Sequence, residues 1–214
     1  MLNTNLHSTH IPVFNGLNIQ EEFLPMCSEY LQALYDTMHK ALSDYPRVLA
    51  VRIDPVIPKK ISDMMALEDH KGLIARFIAS LKAIIKHDLE QKRRNGWVPD
   101  TKARYVWCRE IGINGKPHYH FLLLLNHGAY HMPGKACSGN ENLISRISRA
   151  WHSALGVTWN PQVPSIHVPK NSFYWIKRDD VNSFQEAFYR ASYLCKADTK
   201  QYGLGLRAFG TSRN

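Results

Sequence analysis

The stretch that decides the fold is ARYVWCREIGINGKPHYHFLLLL, residues 103–125. Residues 103–111 and 117–125 each have the composition of a strand, and GINGK between them is a short loop containing Gly112 and Gly115. The pattern therefore predicts a β-hairpin. If the chain turns over residues 112–116, Glu110 lies opposite His118 and Cys108 lies opposite His120. A shift of one residue in this pairing would carry Glu110 to the other face of the sheet.

Apolar residues at three- and four-residue intervals predict helices around this hairpin. These helices cover residues 28–44, 73–95 and 143–155, and a last helix begins at Ser183 with Glu186 completing a capping box. RVLAVRID (47–54) predicts a strand, and PSIHVPK (164–170) predicts a short edge strand. The order predicts an α+β fold, an antiparallel sheet of about five strands flanked by helices. Residues 1–27 lack periodicity and predict an irregular arm before a single domain over residues 28–214.

The composition indicates a basic globular protein. Lys and Arg number 27 against 18 Asp and Glu, which gives a formal net charge of +9 and favours a polyanionic partner. The cysteines are far apart and form no CxxC pair, so neither a disulfide framework nor a four-thiolate zinc site is predicted. We expect a cytoplasmic protein, because no secretory leader or membrane-spanning apolar run occurs. The cysteines are Cys27, Cys108, Cys137 and Cys195.

The histidine pair in KPHYHFLLLLN (116–126) predicts a metal site. Side chains alternate along a strand, so His118 and His120 share one face, and the predicted pairing adds Glu110 to it. Two imidazoles and one carboxylate can hold a divalent cation and leave positions open for a substrate. Mg²⁺ or Mn²⁺ is expected. Two alternatives are inert histidines at a sheet edge and a structural zinc that uses Cys108.

The last predicted helix presents a polar stripe away from its apolar face. Tyr189, Tyr193, Lys196 and Lys200 share this stripe. The ammonium group of Lys196, three residues after Tyr193, can stabilise a phenolate and help Tyr193 act as a nucleophile. The alternative is that the tyrosines fill space and reach water with their hydroxyl groups.

Taken together, Glu110, PHYH (117–120) and YLCK (193–196) resemble the motifs of the HUH endonucleases, with RVLAVRID similar to their first motif strand. The closing sequence most resembles prophage-encoded, inovirus-type replication proteins. The resemblance implies a metal-dependent nickase of single-stranded DNA that initiates rolling-circle replication of a phage, prophage or mobile element. It implies that Tyr193 forms a 5′-phosphotyrosine intermediate, that Tyr189 is a possible second nucleophile, and that His118, His120 and Glu110 hold the metal.

A separate helicase is expected as a partner, because no GxxxxGK[ST] phosphate loop occurs. PKNSFYWIKR (169–178) interleaves charges with rings and predicts a single-strand binding groove, although a surface strand with solvated flanks would show the same pattern. Two other functions remain open: a nucleic-acid-binding regulator without catalysis, and a metal-dependent phosphodiesterase that uses water. The residues predicted to contact DNA are Lys170, Tyr174, Trp175, Lys177, Arg178 and Lys200.

Overall fold

The structure is a computed structural model that describes residues 6–113, 115–135, 141–202 and 205–213; Cys137 lies outside these ranges. The helices are α1 (Ser28–Asp44), α2 (Lys59–Met64), α3 (Leu73–Arg94), α4 (Leu143–Ala154) and α5 (Val181–Ser192). Short 3₁₀ turns cover Glu21–Phe23, Leu67–His70 and Tyr193–Cys195. The strands are β1 (Ser8–Thr9), β2 (Val13–Phe14), β3 (Leu17–Asn18), β4 (Met26–Cys27), β5 (Arg47–Pro55), β6 (Arg104–Ile111), β7 (Pro117–Asn126), β8 (Ile166–His167), β9 (Phe173–Lys177) and β10 (Phe209–Thr211).

The main sheet is antiparallel in every strand pairing that the described residues make. Its order is β10-β6-β7-β5-β8, and β9 also pairs with β5. Because β9 pairs with residues 47–51 of β5 and β8 with residues 54–55, the two short strands share one edge of β5. The sheet is therefore five positions wide and flanked by helices, and the predicted α+β fold with about five antiparallel strands is confirmed.

The β6–β7 hairpin has the predicted register. Glu110 pairs with His118 and Cys108 pairs with His120. The backbone N–H of Gly112 donates to the carbonyl of Lys116 across the turn, and Gly115 adopts a left-handed conformation with φ 73°. Glycine suits that position because it has no Cβ to clash at positive φ.

Helices cover both faces of the sheet, and residue parity along the strands decides which face a side chain joins. Odd-numbered residues of β5, β6 and β7, such as Val51 and Phe121, pack against α3 and α4. Even-numbered residues, such as Ala50 and Leu122, pack against α1 and α5. Polar side chains at even positions therefore lie on the α1/α5 face, next to the end of α5. No described helix is both long enough and apolar enough to cross a membrane.

The N-terminal segment differs from the predicted irregular arm. Within residues 6–27, β1 pairs with β4 and β2 pairs with β3. Leu17, Ile19 and Met26 are buried in the core under α1 and α5. Strands of two residues are too short to show a periodicity, so this order depends on tertiary contacts that the local sequence does not reveal.

Helix α5 begins and ends differently from the prediction. Its N-cap is Asp180, whose side chain accepts hydrogen bonds from the backbone N–H groups of Asn182 and Ser183, so the predicted capping box of Ser183 and Glu186 is wrong. Asp is a strong N-cap residue, and here it precedes the predicted start by three positions. The α-helix ends at Ser192, and Tyr193–Cys195 continue it as a tighter 3₁₀ turn.

A buried ion cluster joins α3 to α4. Asp88 lies 2.6 Å from Arg146 Nη2 and 2.9 Å from Lys92 Nζ, and it accepts a 2.6 Å hydrogen bond from the Tyr130 hydroxyl. Burial raises the pKa of Asp88, but Tyr130, Lys92 and Arg146 outweigh burial and lower it below the ordinary value. We expect Asp88→Ala to reduce the free energy of unfolding by about 3 kcal/mol, because it removes the buried carboxylate shared by Lys92, Arg146 and the Tyr130 hydroxyl.

Urea denaturation measures this loss, and Asp36→Ala on the exposed side of α1 is the matched control, expected to change stability by less than about 0.5 kcal/mol. The pKa of Asp88 is lower folded than unfolded, so its contribution is complete above about pH 4 and disappears as pH falls further. The wild-type advantage over Asp88→Ala should shrink accordingly. An equal loss at pH 7 and pH 3 would contradict the ion-cluster explanation.

Candidate active site

The candidate site lies on the α1/α5 face where three strands meet the turn after α5. β5 contributes Arg52 and Asp54, β6 contributes Glu110, and β7 contributes His120. The 3₁₀ turn places Tyr193 over these even-numbered residues. The site thus combines the side chains predicted from the hairpin and from the last helix.

Tyr193 is in contact with a cation, a carboxylate and an imidazole. Lys196 Nζ donates to the Tyr193 hydroxyl oxygen over 2.8 Å, and the hydroxyl donates to Glu110 Oε2 over 3.4 Å. The Tyr193 ring meets the His120 ring edge-on at 5.4 Å, and the Arg52 guanidinium lies 4.3 Å from its centroid. The hydroxyl is therefore fixed between a donor that can stabilise negative charge and an acceptor for its proton.

Glu110 is the electrostatic centre of the site. Its Oε2 lies 2.9 Å from Lys196 Nζ and 3.3 Å from His120 Nε2, and its side chain is 6% exposed. Burial raises its pKa, but the hydrogen bonds and charges of His120, Lys196 and Lys200 outweigh burial and lower the pKa to about 2. Glu110 is therefore a buried carboxylate that stays ionised at neutral pH.

Asp54 is a member of the site that the sequence prediction missed. Its Oδ1 lies 2.7 Å from His120 Nδ1, and its Oδ2 lies 3.3 Å from His167 Nδ1. Burial lowers the pKa of His120, but Asp54 and Glu110 outweigh burial and raise it. The signal was present in RVLAVRID, where Arg52 and Asp54 are charged residues at alternate positions of an apolar strand. The sequence does not show that β5 pairs with β7, and this pairing places Asp54 beside His120.

The predicted metal ligands are brought together only in part. His120 Nε2 and Glu110 Oε2 are 3.3 Å apart, close to the separation of about 3 Å between two atoms bound to one ion. Asp54 on the other ring nitrogen matches the carboxylate that commonly orients a ligating histidine. His118 faces Glu110 in register but is exposed, and it lines an open cleft of about 530 Å³ with Asp54, His120 and His167. In the described ranges, no three His, Cys, Asp or Glu side chains surround a common point.

Tyr189 and Lys200 do not occupy the positions predicted for them. Tyr189 is 39% exposed, and among the described residues no hydrogen bond, ion pair or ring contact joins it to Glu110, His120 or Lys196. The side chain of Lys200 is fully buried, donates to the carbonyl of Lys196 over 2.6 Å and lies 3.8 Å from Glu110 Oε1. Lys200 therefore cannot contact DNA at the surface, and that prediction is wrong.

The predicted binding groove of residues 169–178 is divided by β9. Tyr174 faces the α1/α5 side, whereas Trp175 and Lys177, at odd positions, face the other side of the sheet. Trp175 is half exposed and donates to the carbonyl of His131. Arg178 donates to the carbonyls of Leu42 and Ser43, so it caps the end of α1. Lys170 is exposed on the loop before β9. These side chains do not form one surface, and the single-groove prediction is wrong.

Residues 9–212 match the profile of a family described as the YagK/YfjJ C-terminal domain. The chain belongs to the YagK/YfjJ C-terminal domain family. The match includes residues 9–27 together with every residue of the candidate site, so these residues before α1 are part of the YagK/YfjJ domain.

Two relatives of the chain in the YagK/YfjJ family come from Escherichia coli (strain K12). The uncharacterized protein YfjJ is 31% identical over 208 residues, which cover 92% of this chain and all of YfjJ. The uncharacterized protein YagK is 30% identical over 195 residues, which cover 86% of this chain and 92% of YagK. No solved structure matches this chain significantly.

Proposed function

We propose that this protein nicks and rejoins single-stranded DNA through a covalent phosphotyrosine, in the manner of the HUH endonucleases that it resembles. The observation that carries the proposal is the contact of the Tyr193 hydroxyl with both Lys196 and Glu110. A tyrosine that only fills space does not require a buried carboxylate and an ammonium group on its oxygen. We further propose that the reaction initiates rolling-circle replication of a phage, prophage or mobile element, with a separate helicase opening the duplex.

Each residue of the site has a defined task in this reaction. The Tyr193 oxygen attacks the phosphorus, so a bond from tyrosine to phosphorus forms while the bond from phosphorus to the 3′-oxygen breaks. Lys196 stabilises negative charge on the attacking oxygen, and Glu110 is the acceptor within reach of its proton. The 3′-oxygen leaves with the electron pair and takes up a proton. The product is a 5′-phosphotyrosine and a free 3′-hydroxyl, and reversal rejoins the strand.

A divalent cation, Mg²⁺ or Mn²⁺, would be held by His120 and Glu110, with His118 as the third predicted ligand. When bound, such an ion acts as a Lewis acid on a phosphate oxygen. Asp54 fixes the orientation of the His120 ring. The cleft lined by His118, His120 and His167 leaves room for a phosphate beside the two histidines of the pair.

The experiment that tests the proposal is the trapping of a covalent adduct. The protein is incubated with a pool of labelled single-stranded DNA and Mn²⁺, denatured in detergent and separated by size. We expect label to migrate with the protein and a free 3′-hydroxyl to appear on the released fragments. Cleavage without any adduct would indicate the phosphodiesterase that uses water. Binding without cleavage in either metal would indicate the regulator without catalysis, and both results would contradict the proposal.

A further inference from the structure

A second cleft lies on the opposite face of the sheet from the candidate active site. Its volume is about 560 Å³. Odd-numbered side chains of β6 and β7 form its floor, and the N-terminal end of α3 and residues 205–213 form its walls. We call it the α3 cleft, and its lining includes Tyr105, Trp107, Arg109, Tyr119, Arg207 and Arg213.

The α3 cleft carries an excess of positive charge. Its described lining contains Lys71, Lys82, Arg109, Arg207 and Arg213, and no Asp or Glu is among the lining residues that the structure describes. Among the residues described, no carboxylate lies within 4 Å of the charged groups of Lys82, Arg109, Arg207 or Arg213. The cations of the candidate active site differ, because Lys196 and Arg52 each lie near a carboxylate. Uncompensated cations around a concave surface attract an anion.

Arg109 holds its charge at the floor of the cleft. It is 2% exposed, and its guanidinium donates to the backbone carbonyls of Gln201, Leu206 and Arg207. These neutral acceptors orient the group but do not cancel its charge. Through these hydrogen bonds, Arg109 also fixes residues 205–207, which form one wall of the cleft, against the sheet.

The N-terminus of α3 is an independent indication of an anion. The N-cap is Gly72, which provides no side-chain cap, and α3 is 22 residues long. Gly72, Ile74 and Ala75 line the cleft, so the uncapped end of the helix opens into it. Backbone N–H groups in the first turn of a helix lack intrahelical partners and, together with the helix dipole, attract phosphate.

The charges extend over a distance that exceeds one phosphate group. Gly72 and Lys82 both line the cleft and are ten residues apart on α3, which corresponds to about 15 Å at 1.5 Å per residue. Positive charge at both ends of this span, from the helix N-terminus and from Lys82, suits a phosphodiester chain. On the floor, Trp107 and Tyr119 are buried in the core, whereas Tyr105 is half-buried and is the ring that can meet an unpaired base. Single-stranded nucleic acid is bound by basic grooves that contain aromatic side chains.

We propose that the α3 cleft binds a segment of single-stranded nucleic acid, with phosphates at the N-terminus of α3 and along the rim of the cleft and a base against Tyr105. This site is distinct from the candidate active site, because Arg109 and Glu110 are neighbours on β6 but face opposite sides of the sheet. The inference concerns binding alone and does not depend on the proposed nicking reaction.

The test compares two double variants that remove the same charge. Arg207→Ala with Arg213→Ala removes two exposed arginines that line the cleft, and Arg47→Ala with Arg94→Ala removes two exposed arginines elsewhere. Affinity for a fluorescein-labelled oligothymidylate is measured by anisotropy across a KCl series in EDTA. We expect the cleft variant to bind about tenfold more weakly or worse at low salt and to lose about 1.4 units of salt slope, whereas the control stays near wild type.

Thermal unfolding establishes that both double variants are folded. A second measurement locates the contact: an oligonucleotide containing iododeoxyuridine is cross-linked by light, and the modified residues are identified, with cross-links expected at Tyr105 or within residues 205–213. Equal weakening in the two double variants, cross-links confined to other segments, or affinity that does not increase with oligonucleotide length would each overturn the proposal. Loss of nicking in an adduct assay would leave these readouts unchanged, so the two proposals fail separately.

Discussion

Tyr193→Phe is expected to abolish both the covalent adduct and the nick. The change removes the attacking oxygen and keeps the ring, which packs against Phe23 at 4.8 Å and against His120. The fold should therefore be retained, and the pair of Lys196 and Glu110 stays in place. Loss of an enzymatic nucleophile typically costs about 10⁴- to 10⁶-fold in rate. A labelled oligonucleotide and peptide mass measurement report the adduct and its position.

Tyr189→Phe is the matched control, since it removes the same atom from the neighbouring turn. Tyr189 is 39% exposed and lacks the Lys196 and Glu110 contacts that Tyr193 makes. We expect this variant to nick once at a rate close to wild type, with any defect restricted to a later strand transfer. An adduct on Tyr189, or full activity of Tyr193→Phe, would show that the nucleophile is assigned to the wrong tyrosine.

Removal of divalent metal, or His120→Ala, is expected to reduce nicking by about a thousandfold or more. A Lewis acid on the phosphate contributes several kcal/mol to such a reaction, and each 1.4 kcal/mol changes the rate tenfold. Excess EDTA should stop nicking by the wild-type protein, and Mn²⁺ or Mg²⁺ should restore it. His120→Ala should not be restored by either ion, yet it should still bind DNA.

Two further variants separate the metal from a general loss of structure. His87→Ala, at an exposed position of α3, should retain full activity. Asp54→Asn should need about 10- to 100-fold more Mn²⁺ for half-maximal nicking, because it weakens the carboxylate contact that orients His120. Undiminished nicking in EDTA would exclude the metal mechanism, and identical Mn²⁺ titrations for Asp54→Asn and wild type would exclude this role of Asp54.

The parts of the fold that were predicted correctly have strong local signals. The hairpin register follows from a short loop that contains Gly112 and Gly115 and from the two-residue alternation of strands, so Glu110 and His118 could be paired from sequence. The helices α1, α3 and α4 follow from apolar residues at helical spacing. The same alternation explains why the predicted groove failed, since adjacent residues of a strand, such as Tyr174 and Trp175, face opposite sides.

The parts that could not be predicted depend on contacts between distant segments. Asp54 meets His120 only because β5 pairs with β7. Lysine side chains are usually exposed unless they are paired with a carboxylate. Lys200 is buried because it lies near Glu110, which is 90 positions earlier in the sequence. Arg178 is exposed, but its guanidinium donates to two carbonyls of α1. The sequence alone cannot distinguish an arginine that caps a helix from one that binds DNA.

The turn that carries Tyr193 is held by the opposite end of the chain. The Gln20 side chain donates to the carbonyls of Tyr189 and Arg190, and the N–H of Ala197 donates to the carbonyl of Pro25. During translation, His118 and His120 are therefore synthesised long before Tyr193. Gln20 can form its contacts with the end of α5 only after about 170 further residues have been synthesised. These contacts close a long loop, because they join residues that are far apart in the sequence. The candidate site is therefore incomplete in the nascent chain, and its arrangement arises only when the early and late segments meet.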